Sequence, residues 1–217
     1  MTEQYILPPE IKTLGRTEYK TTWKAMKVFT DNRNAQTCDE LWLTEHEPVF
    51  TQGLNGKADH LLDTGEIPVV QIDRGGQVTY HGPGQILLYC LLDISRLQVG
   101  VRSLVTLLEQ TVIEFLQTFN IAADSHPDAP GVYVKGAKIA ALGLKIRKGC
   151  CYHGLSFNHE MDLSPFSRIN PCGLKNLEVT QLADFNIDIN MEEAAFQLSS
   201  LLCQKLEHQH EATNKHL

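Results

Sequence analysis

The 217-residue sequence lacks the features that mark several protein classes. Its longest unbroken apolar run, Ile86 to Leu92, is far shorter than the roughly 20 residues that a membrane-spanning helix needs. No basic segment followed by an apolar one opens the chain, so we expect neither a secretory signal nor a membrane partner. The sequence has 19 Lys and Arg against 26 Asp and Glu, a net charge of −7. A nucleic-acid binder normally carries a basic excess, so we expect no nucleic-acid partner.

The spacing of the cysteines excludes further protein classes. The six cysteines form no CxxC pair and, with the histidines, match no zinc module, so we expect no metal. Without a secretory signal we expect reduced thiols and a cytoplasmic protein. Reduced cysteines are usually small core residues, which we expect for Cys38, Cys90 and Cys203. Cys150 and Cys151 alternate across a predicted strand and are expected to pack as well.

No repeat or Pro/Ser-rich linker interrupts the chain, which favours one domain over residues 1–217 with a frayed tail from about 208 to 217. Apolar spacing predicts helices over 19–34, 101–119 and 190–207, with Asn190 as an N-cap. Strands are predicted on both sides of Pro48 within 39–52, and over 67–73, 85–94, 131–134, 137–147 and 150–158. Lys148 and Gly149 form a tight hairpin connection between the last two. This order indicates an α+β fold with a mixed, mostly antiparallel sheet flanked by helices.

Residues 74–85, RGGQVTYHGPGQ, contain four glycines and one proline. Such a loop brings backbone N–H groups close to a ligand, although an ordinary turn between strands has the same composition. Arg74 can hold a carboxylate, a phosphate or a neighbouring loop. The segment is neither GxGxxG nor a P-loop, so it does not indicate a nucleotide.

Two residues farther along the chain could take part in catalysis. Strand alternation places Lys138 on the more apolar face of 137–147, where burial would lower its pKa, although a lysine at a strand end can also reach water. Cys172 lies between a proline and a glycine, with Arg168 and Lys175 nearby to stabilise a thiolate. A thioester intermediate is then possible, and so is a loop cysteine without a role. His153 and Asn158 could position a loop or a substrate, and for His153 a structural role is the default expectation.

The segments RGGQVTYHGPGQ, GAKIA from Gly136, HGLSFN from His153 and NPCG from Asn170 resemble, in order and spacing, the lipoyl(octanoyl) transferase family. The resemblance implies the fold of lipoate and biotin protein ligases, with Cys172 as acyl acceptor and Lys138 as its catalytic partner. It implies octanoyl transfer from octanoyl-acyl carrier protein to the lysine of apo lipoyl domains, without a cofactor. The substrate contacts that it implies are Arg74, Gly75, Gly76, Gln77, Val78, Thr79, Tyr80, His81, Ala141, Leu142, Gly143, Gly154, Leu155 and Ser156.

Acyl carrier proteins are acidic, and an enzyme with a charge of −7 repels them overall. We therefore expect a basic patch at the mouth of the active site, formed by Lys135, Lys145, Arg147, Lys148, Arg168 and Lys175. The alternatives are an ATP-dependent lipoate or biotin ligase of the same fold, a transferase between lipoyl-domain proteins, and a non-catalytic binder of these partners. The ligase would need a nucleotide site and no Cys172.

Overall fold

The computed structural model of the protein describes residues 7–127, 129–171 and 177–214, the last five of them by backbone alone. The helices are α1 (Tyr19–Asn32), α2 (Val101–Gln117) and α3 (Met191–Asn214). The main sheet has the order β1-β2-β6-β10-β9-β8-β7, formed by Glu10–Thr17, Glu40–His46, Gln85–Asp93, Cys150–Asn158, Ala137–Arg147, Gly131–Val134 and Asp124–Ser125. A smaller sheet has the order β4-β3-β5, formed by Val69–Gln71, Val49–Gln52 and Val78–His81.

The sheet pairings confirm the α+β class and the mixed, mostly antiparallel sheet. In the main sheet β1 pairs with β2 in parallel, and the remaining ladders are antiparallel. In the smaller sheet β3 pairs in parallel with β4 and antiparallel with β5. Within the described residues, no helix is long and apolar enough to cross a bilayer.

Strand β6 lies at the centre of the main sheet and is apolar on both faces, as expected for a strand covered on both sides. Leu88 faces the large core cluster, which includes Leu104 of α2 and Leu198 of α3. Leu87 belongs to a second cluster with Met26 of α1. Helices α2 and α3 thus cover one face of the sheet, and α1 covers part of the other.

Several local predictions are confirmed. Lys148 and Gly149 both have positive φ, 51° and 76°, as a two-residue hairpin turn between β9 and β10 requires. The side chain of Asn190 accepts a hydrogen bond of 2.9 Å from the backbone N–H of Glu193, which makes Asn190 the N-cap of α3. Cys90, Cys150 and Cys151 are buried, and Cys203 packs partly buried against the large core.

Other predictions are wrong in detail. Cys38 is exposed, because it lies in the irregular segment between α1 and β2 and not in a core element. Helix α3 continues to Asn214, so residues 208–214 are helical where a frayed tail was expected. The segment 74–85 is not loop throughout, because its residues Val78–His81 pair with β3. Strand β1 was not predicted, since it is an exposed edge strand without apolar alternation.

Candidate active site

A cavity of about 420 Å³ opens beside the main sheet. Three segments that are distant in sequence line it: the glycine-rich segment from Arg74, strand β9 and strand β10. The predicted substrate contacts that the structure brings together around it are Arg74, Gly75, Gly76, Gln77, Val78, Thr79, His81, Ala141, Leu142, Gly143, Gly154, Leu155 and Ser156. Further lining comes from Tyr19, Leu87, Tyr89, Val101, Val105, Ala129, Pro130, Leu144 and His153. Apart from Tyr80, the substrate contacts implied by the resemblance therefore share one cavity.

Tyr80 is the predicted contact that the structure places elsewhere. Its ring packs against Phe50 and edge-on against Phe166, with centroids 5.5 Å apart in both pairs. Strand alternation in β5 explains this position, since neighbouring side chains point to opposite faces and Thr79 and His81 face the cavity. The contact between Tyr80 and substrate stays a prediction.

Glycines allow the glycine-rich segment to lie directly on β9. The backbone N–H of Gly75 donates to the carbonyl of Leu144 over 3.0 Å. A Cβ at Gly143 would lie 2.9 Å from Cδ of Arg74, closer than carbon atoms normally approach. Gly76 has a φ of +87°, which a side chain would strain. The close approach forms one wall of the cavity.

The guanidinium of Arg74 is held by other groups of the protein, on strand β3 and in its own glycine-rich segment. Its Nη2 donates to the carbonyl and the hydroxyl of Thr51 over 2.8 and 2.9 Å, and its Nη1 donates to the carbonyl of Gly75 over 2.9 Å. Arg74 is 8% exposed. Of the roles considered from the sequence, the structure shows Arg74 holding a neighbouring part of the protein, which is strand β3 and not a loop.

Lys138 is buried, with 4% of its surface exposed. Its Nζ donates to the carbonyl of Pro130 over 3.2 Å and lies 5.1 Å from the ring centre of Tyr133. Its backbone N–H donates to the carbonyl of Glu178, and its carbonyl accepts from Thr180. The lysine therefore does not extend to water, and residues 178–180 run beside it.

A second, small cavity brings Lys138 together with described residues that precede and follow positions 172–176 in the sequence. Lys138 lines this cavity together with Thr79, Ala141 and Ser156, which also line the large cavity. Pro171 and Val179 line it too. Cys172 and Lys175 themselves lie outside the described residues. The described residues on both sides of their segment nevertheless lie at the Lys138 end of the large cavity.

A chain of hydrogen bonds connects the glycine-rich segment to this end. Nδ1 of His81 donates to the side-chain oxygen of Gln85 over 2.7 Å. Gln85 donates to Asn158 over 2.8 Å, and Asn158 donates to the carbonyl of Thr180 over 3.0 Å. The N–H of Thr180 donates to the carbonyl of Lys138. These groups are buried, and each hydrogen bond links one group to the next. The chain of hydrogen bonds therefore fixes the positions of Lys138 and residues 178–180 relative to the cavity wall.

At the end of the cavity opposite Lys138, Asp73 accepts three hydrogen bonds. It accepts from Nε1 of Trp23 over 2.8 Å, from Nε2 of His153 over 3.1 Å and from the hydroxyl of Tyr152. Burial by itself would raise the pKa of Asp73, but the hydrogen bonds from His153, Tyr152 and Trp23 outweigh it and hold the pKa well below its usual value. The carboxylate is therefore ionised at neutral pH.

The sequence interpretation singled out His153 but did not foresee Asp73 as its partner. It is 2% exposed, and burial lowers its pKa although Asp73 raises it in part. Its φ of 64° is unusual for a strand residue other than glycine. This backbone turns the imidazole towards Asp73 and the cavity, and the ladder between β10 and β6 is interrupted at this point. The sequence holds no signal for this conformation.

Comparisons with known proteins agree with the family resemblance and with the fold. The lipoyl protein ligase A/B catalytic domain matches residues 18–201 of the chain. An octanoyltransferase from Chromobacterium violaceum is 57% identical over 192 residues, which are 88% of this chain and 93% of that protein. The chain belongs to the octanoyltransferases of the lipoyl protein ligase A/B family. The family resemblance drawn from the sequence motifs is confirmed.

Two solved structures show the same fold. A lipoate-protein ligase A crystallised with ATP superposes with a TM-score of 0.78 at 14% identity, covering 97% of this chain and 94% of that one. A biotin protein ligase from Aquifex aeolicus superposes with a TM-score of 0.57 at 12% identity, covering 94% and 72%. The fold implied by the resemblance is therefore confirmed, and at these identities nothing further follows from the two ligases.

The described residues contain no group of three or more His, Cys, Asp or Glu side chains that could hold a metal ion. The polar groups at and behind these cavities include Lys138, the His81 hydrogen-bond chain and the Asp73–His153 pair. Such a set can transfer protons and position an acyl group.

Proposed function

We propose that this enzyme transfers an octanoyl group from octanoyl-acyl carrier protein to the lysine of apo lipoyl domains, through a thioester on Cys172. One observation carries the proposal: the buried Lys138 lines a small cavity with Pro171 and Val179, and this cavity shares Thr79, Ala141 and Ser156 with a cavity of acyl size. The 57% identity to an octanoyltransferase supports the donor chemistry. The acceptor domains are the E2 subunits of 2-oxoacid dehydrogenases and the glycine cleavage H protein.

The reaction balances without ATP. The Cys172 thiolate attacks the thioester carbonyl of the donor, a new C–S bond forms, and the donor thiol leaves with the proton that Cys172 gave up. The acceptor amine then attacks the acyl-enzyme, an amide forms, and Cys172 recovers a proton from the amine. Lys138 either relays these protons or remains protonated and stabilises the thiolate. The pH dependence of the rate in the Lys138→Arg variant separates the two, because arginine stays protonated and cannot relay.

Apolar side chains would surround the acyl chain. Leu142 and Leu155 line the cavity, with Val101 and Val105 of α2 at its side. Such a lining excludes water from the thioester, which protects it from hydrolysis. The proposal therefore assigns Leu142 and Leu155 to the octanoyl channel.

The first test is mass spectrometry after the protein is mixed with octanoyl-acyl carrier protein in the absence of ATP. We expect one octanoyl group on the Cys172 peptide, discharged when an apo lipoyl domain is added. Cys172→Ser should abolish the discharge to the acceptor, and Lys138→Ala should slow transfer by about 100-fold or more, the usual contribution of acid–base catalysis. Cys38→Ser is the matched control, because Cys38 is exposed and outside the cavity lining.

The competing functions give different results in the same experiment. An ATP-dependent ligase would modify the lipoyl domain only with ATP and free acid, and Cys172→Ser would leave it active. A transferase between lipoyl-domain proteins would accept octanoyl groups from a modified lipoyl domain and not from acyl carrier protein. A non-catalytic binder would form neither the adduct nor the product.

A further inference from the structure

Three rows of lining residues run along the cavity and show which of its ends is remote from Lys138. Along β10 the lining runs from Ser156 to His153, and along β9 from Ala141 to Leu144, which the sheet register places opposite them. The glycine-rich segment runs beside these strands, with Thr79 at the Lys138 end. Its Gly75 is hydrogen-bonded to Leu144 at the other end. All three rows therefore agree on which end of the cavity is remote from Lys138.

The distance between the ends suits a chain of about eight carbons. Ser156 and His153 are three residues apart on β10, which corresponds to about 10 Å at the usual rise of a strand. An extended octanoyl group spans a similar length. If its carbonyl lies beside Lys138, its terminal methyl group reaches the level of His153 and Leu144.

A polar pair lies at the remote end, beside Leu144. His153 lines the cavity, and its Nε2 donates to Asp73, which does not line it. Asp73 is held in turn by Trp23 and Tyr152. The imidazole thus lies between the cavity and an ionised carboxylate. The additional methylene groups of a longer acyl chain would have to displace the imidazole from Asp73. They would then lie against the charged carboxylate, which is unfavourable.

The backbone of His153 strengthens this interpretation. A φ of 64° at a residue other than glycine is strained. Such strain persists only where the surrounding structure enforces it, and it is concentrated at functional sites. Here it turns the imidazole to the cavity in the middle of a strand whose next residue, Gly154, also lines the cavity. Nδ1 of His153 is buried and has no hydrogen-bond partner among the described residues, so within that part of the chain the bond from Nε2 to Asp73 is the hydrogen bond that holds the ring.

We propose that the His153–Asp73 pair is the end wall of the acyl channel and limits the transferred chain to about eight carbons. The inference rests on the proposed function and deepens it, because it names the residue that selects the length of the acyl substrate. His153 is a specificity-determining residue in this assignment, and Asp73 positions it.

The test is a competition between octanoyl- and dodecanoyl-acyl carrier protein for one lipoyl domain, read by mass spectrometry of the product. The product ratio reports the ratio of kcat/KM values, so it does not depend on how much of a variant is folded. In His153→Gly, which adopts the same φ without strain, we expect the dodecanoyl fraction to rise at least about tenfold, since each methylene that finds room contributes roughly fourfold to binding. His153→Asn, which tolerates this φ and keeps a shorter side chain, should give an intermediate ratio.

His159→Asn is the matched control: His159 is also buried, bonded to the carbonyl of Ile189, and does not line the cavity. An unchanged ratio in His153→Gly overturns the end wall while leaving octanoyl transfer intact. A ratio that changes with Val105→Phe and not with His153→Gly would place the chain end beside α2 and also overturn it. If the unsubstituted protein transfers no octanoyl group, the proposed function fails as well.

Discussion

At the scale of single residues, burial sets the charge of two neighbouring histidines, His81 in the cavity lining and His46 beside it. His46 is completely buried; its Nδ1–H donates to the carbonyl of Thr17 over 3.0 Å, and its Nε2 accepts from the hydroxyl of Tyr89 over 2.6 Å. Burial lowers the pKa of His46 to about 4, and burial together with the neighbouring His46 lowers that of His81 to about 3. Both imidazoles are neutral at neutral pH, because these lowered pKa values lie well below it.

The buried histidines predict a dependence of stability on pH. In the unfolded chain a histidine has a pKa near 6.5, so between pH 6.5 and 4 the unfolded state binds more protons than the folded state. The free energy of unfolding is therefore expected to fall as the pH drops through this window, by roughly 3 kcal/mol from His46 alone. Urea denaturation at a series of pH values measures this loss.

A variant separates His46 from the other titrating groups. His46→Gln retains hydrogen-bonding groups but does not titrate, so its free energy of unfolding should fall less steeply between pH 6.5 and 4. Equal slopes in the two proteins would show that His46 does not have the lowered pKa. Asp73 contributes little in this window, since its own pKa lies below it.

At the scale of elements, the connections around the site require glycine for two reasons, which are a positive φ and the lack of space for a Cβ atom. Gly84, between β5 and β6, has a φ of +84°, and a Cβ there would overlap the carbonyl group of Glu160. Its own N–H donates to Glu45 over 2.8 Å. Gly136, in the turn between β8 and β9, has a similar φ of +86°, but a Cβ there would meet no atom within 4 Å.

This pair predicts different costs for the same substitution. Gly136→Ala should lower the free energy of unfolding by about 1 kcal/mol, the cost of a side chain at positive φ. Gly84→Ala should lower it by at least about 3 kcal/mol, because the backbone of two segments must also separate. Equal losses in chemical denaturation would mean that the Gly84 turn relaxes without resistance.

At the scale of the whole molecule, the charge of −7 has to be reconciled with an acidic donor protein. Two of the six residues predicted to form a basic patch are already engaged: Arg147 donates to Asp31 over 2.6 Å, and Lys148 lies 4.0 Å from it. Lys135 is exposed at the turn that leads to Lys138. The patch stays a prediction, and Lys135 is its best-placed described member.

Charge reversal tests the patch. Lys135→Glu should raise the KM for octanoyl-acyl carrier protein several-fold at low ionic strength, with a smaller effect at high salt because the charges are screened. Lys205→Glu is the control, since Lys205 lies on α3 and pairs with Glu114 of α2. A KM that responds equally to both variants, or that does not respond to salt, would contradict a local patch.

Much of the fold was predictable because its signals are local. The strands over 131–134, 137–147 and 150–158 appear with the predicted bounds, since apolar and β-branched runs end at turn residues such as Lys148 and Gly149. Strand β1 escaped prediction because its sequence has no buried face, and it forms only by pairing with the edge of β2. The single-domain interpretation of residues 1–217 stays a prediction.

The sequence by itself determined the family, the fold class and most of the cavity lining, because these depend on motifs whose residue types and spacing are visible along the chain. The tertiary structure decided three things that depend on groups distant in sequence. It directs the Arg74 guanidinium to Thr51, buries Lys138 beside residues 178–180, and turns His153 towards Asp73. A buried polar group takes the partner that folding brings to it, and no local pattern specifies that partner.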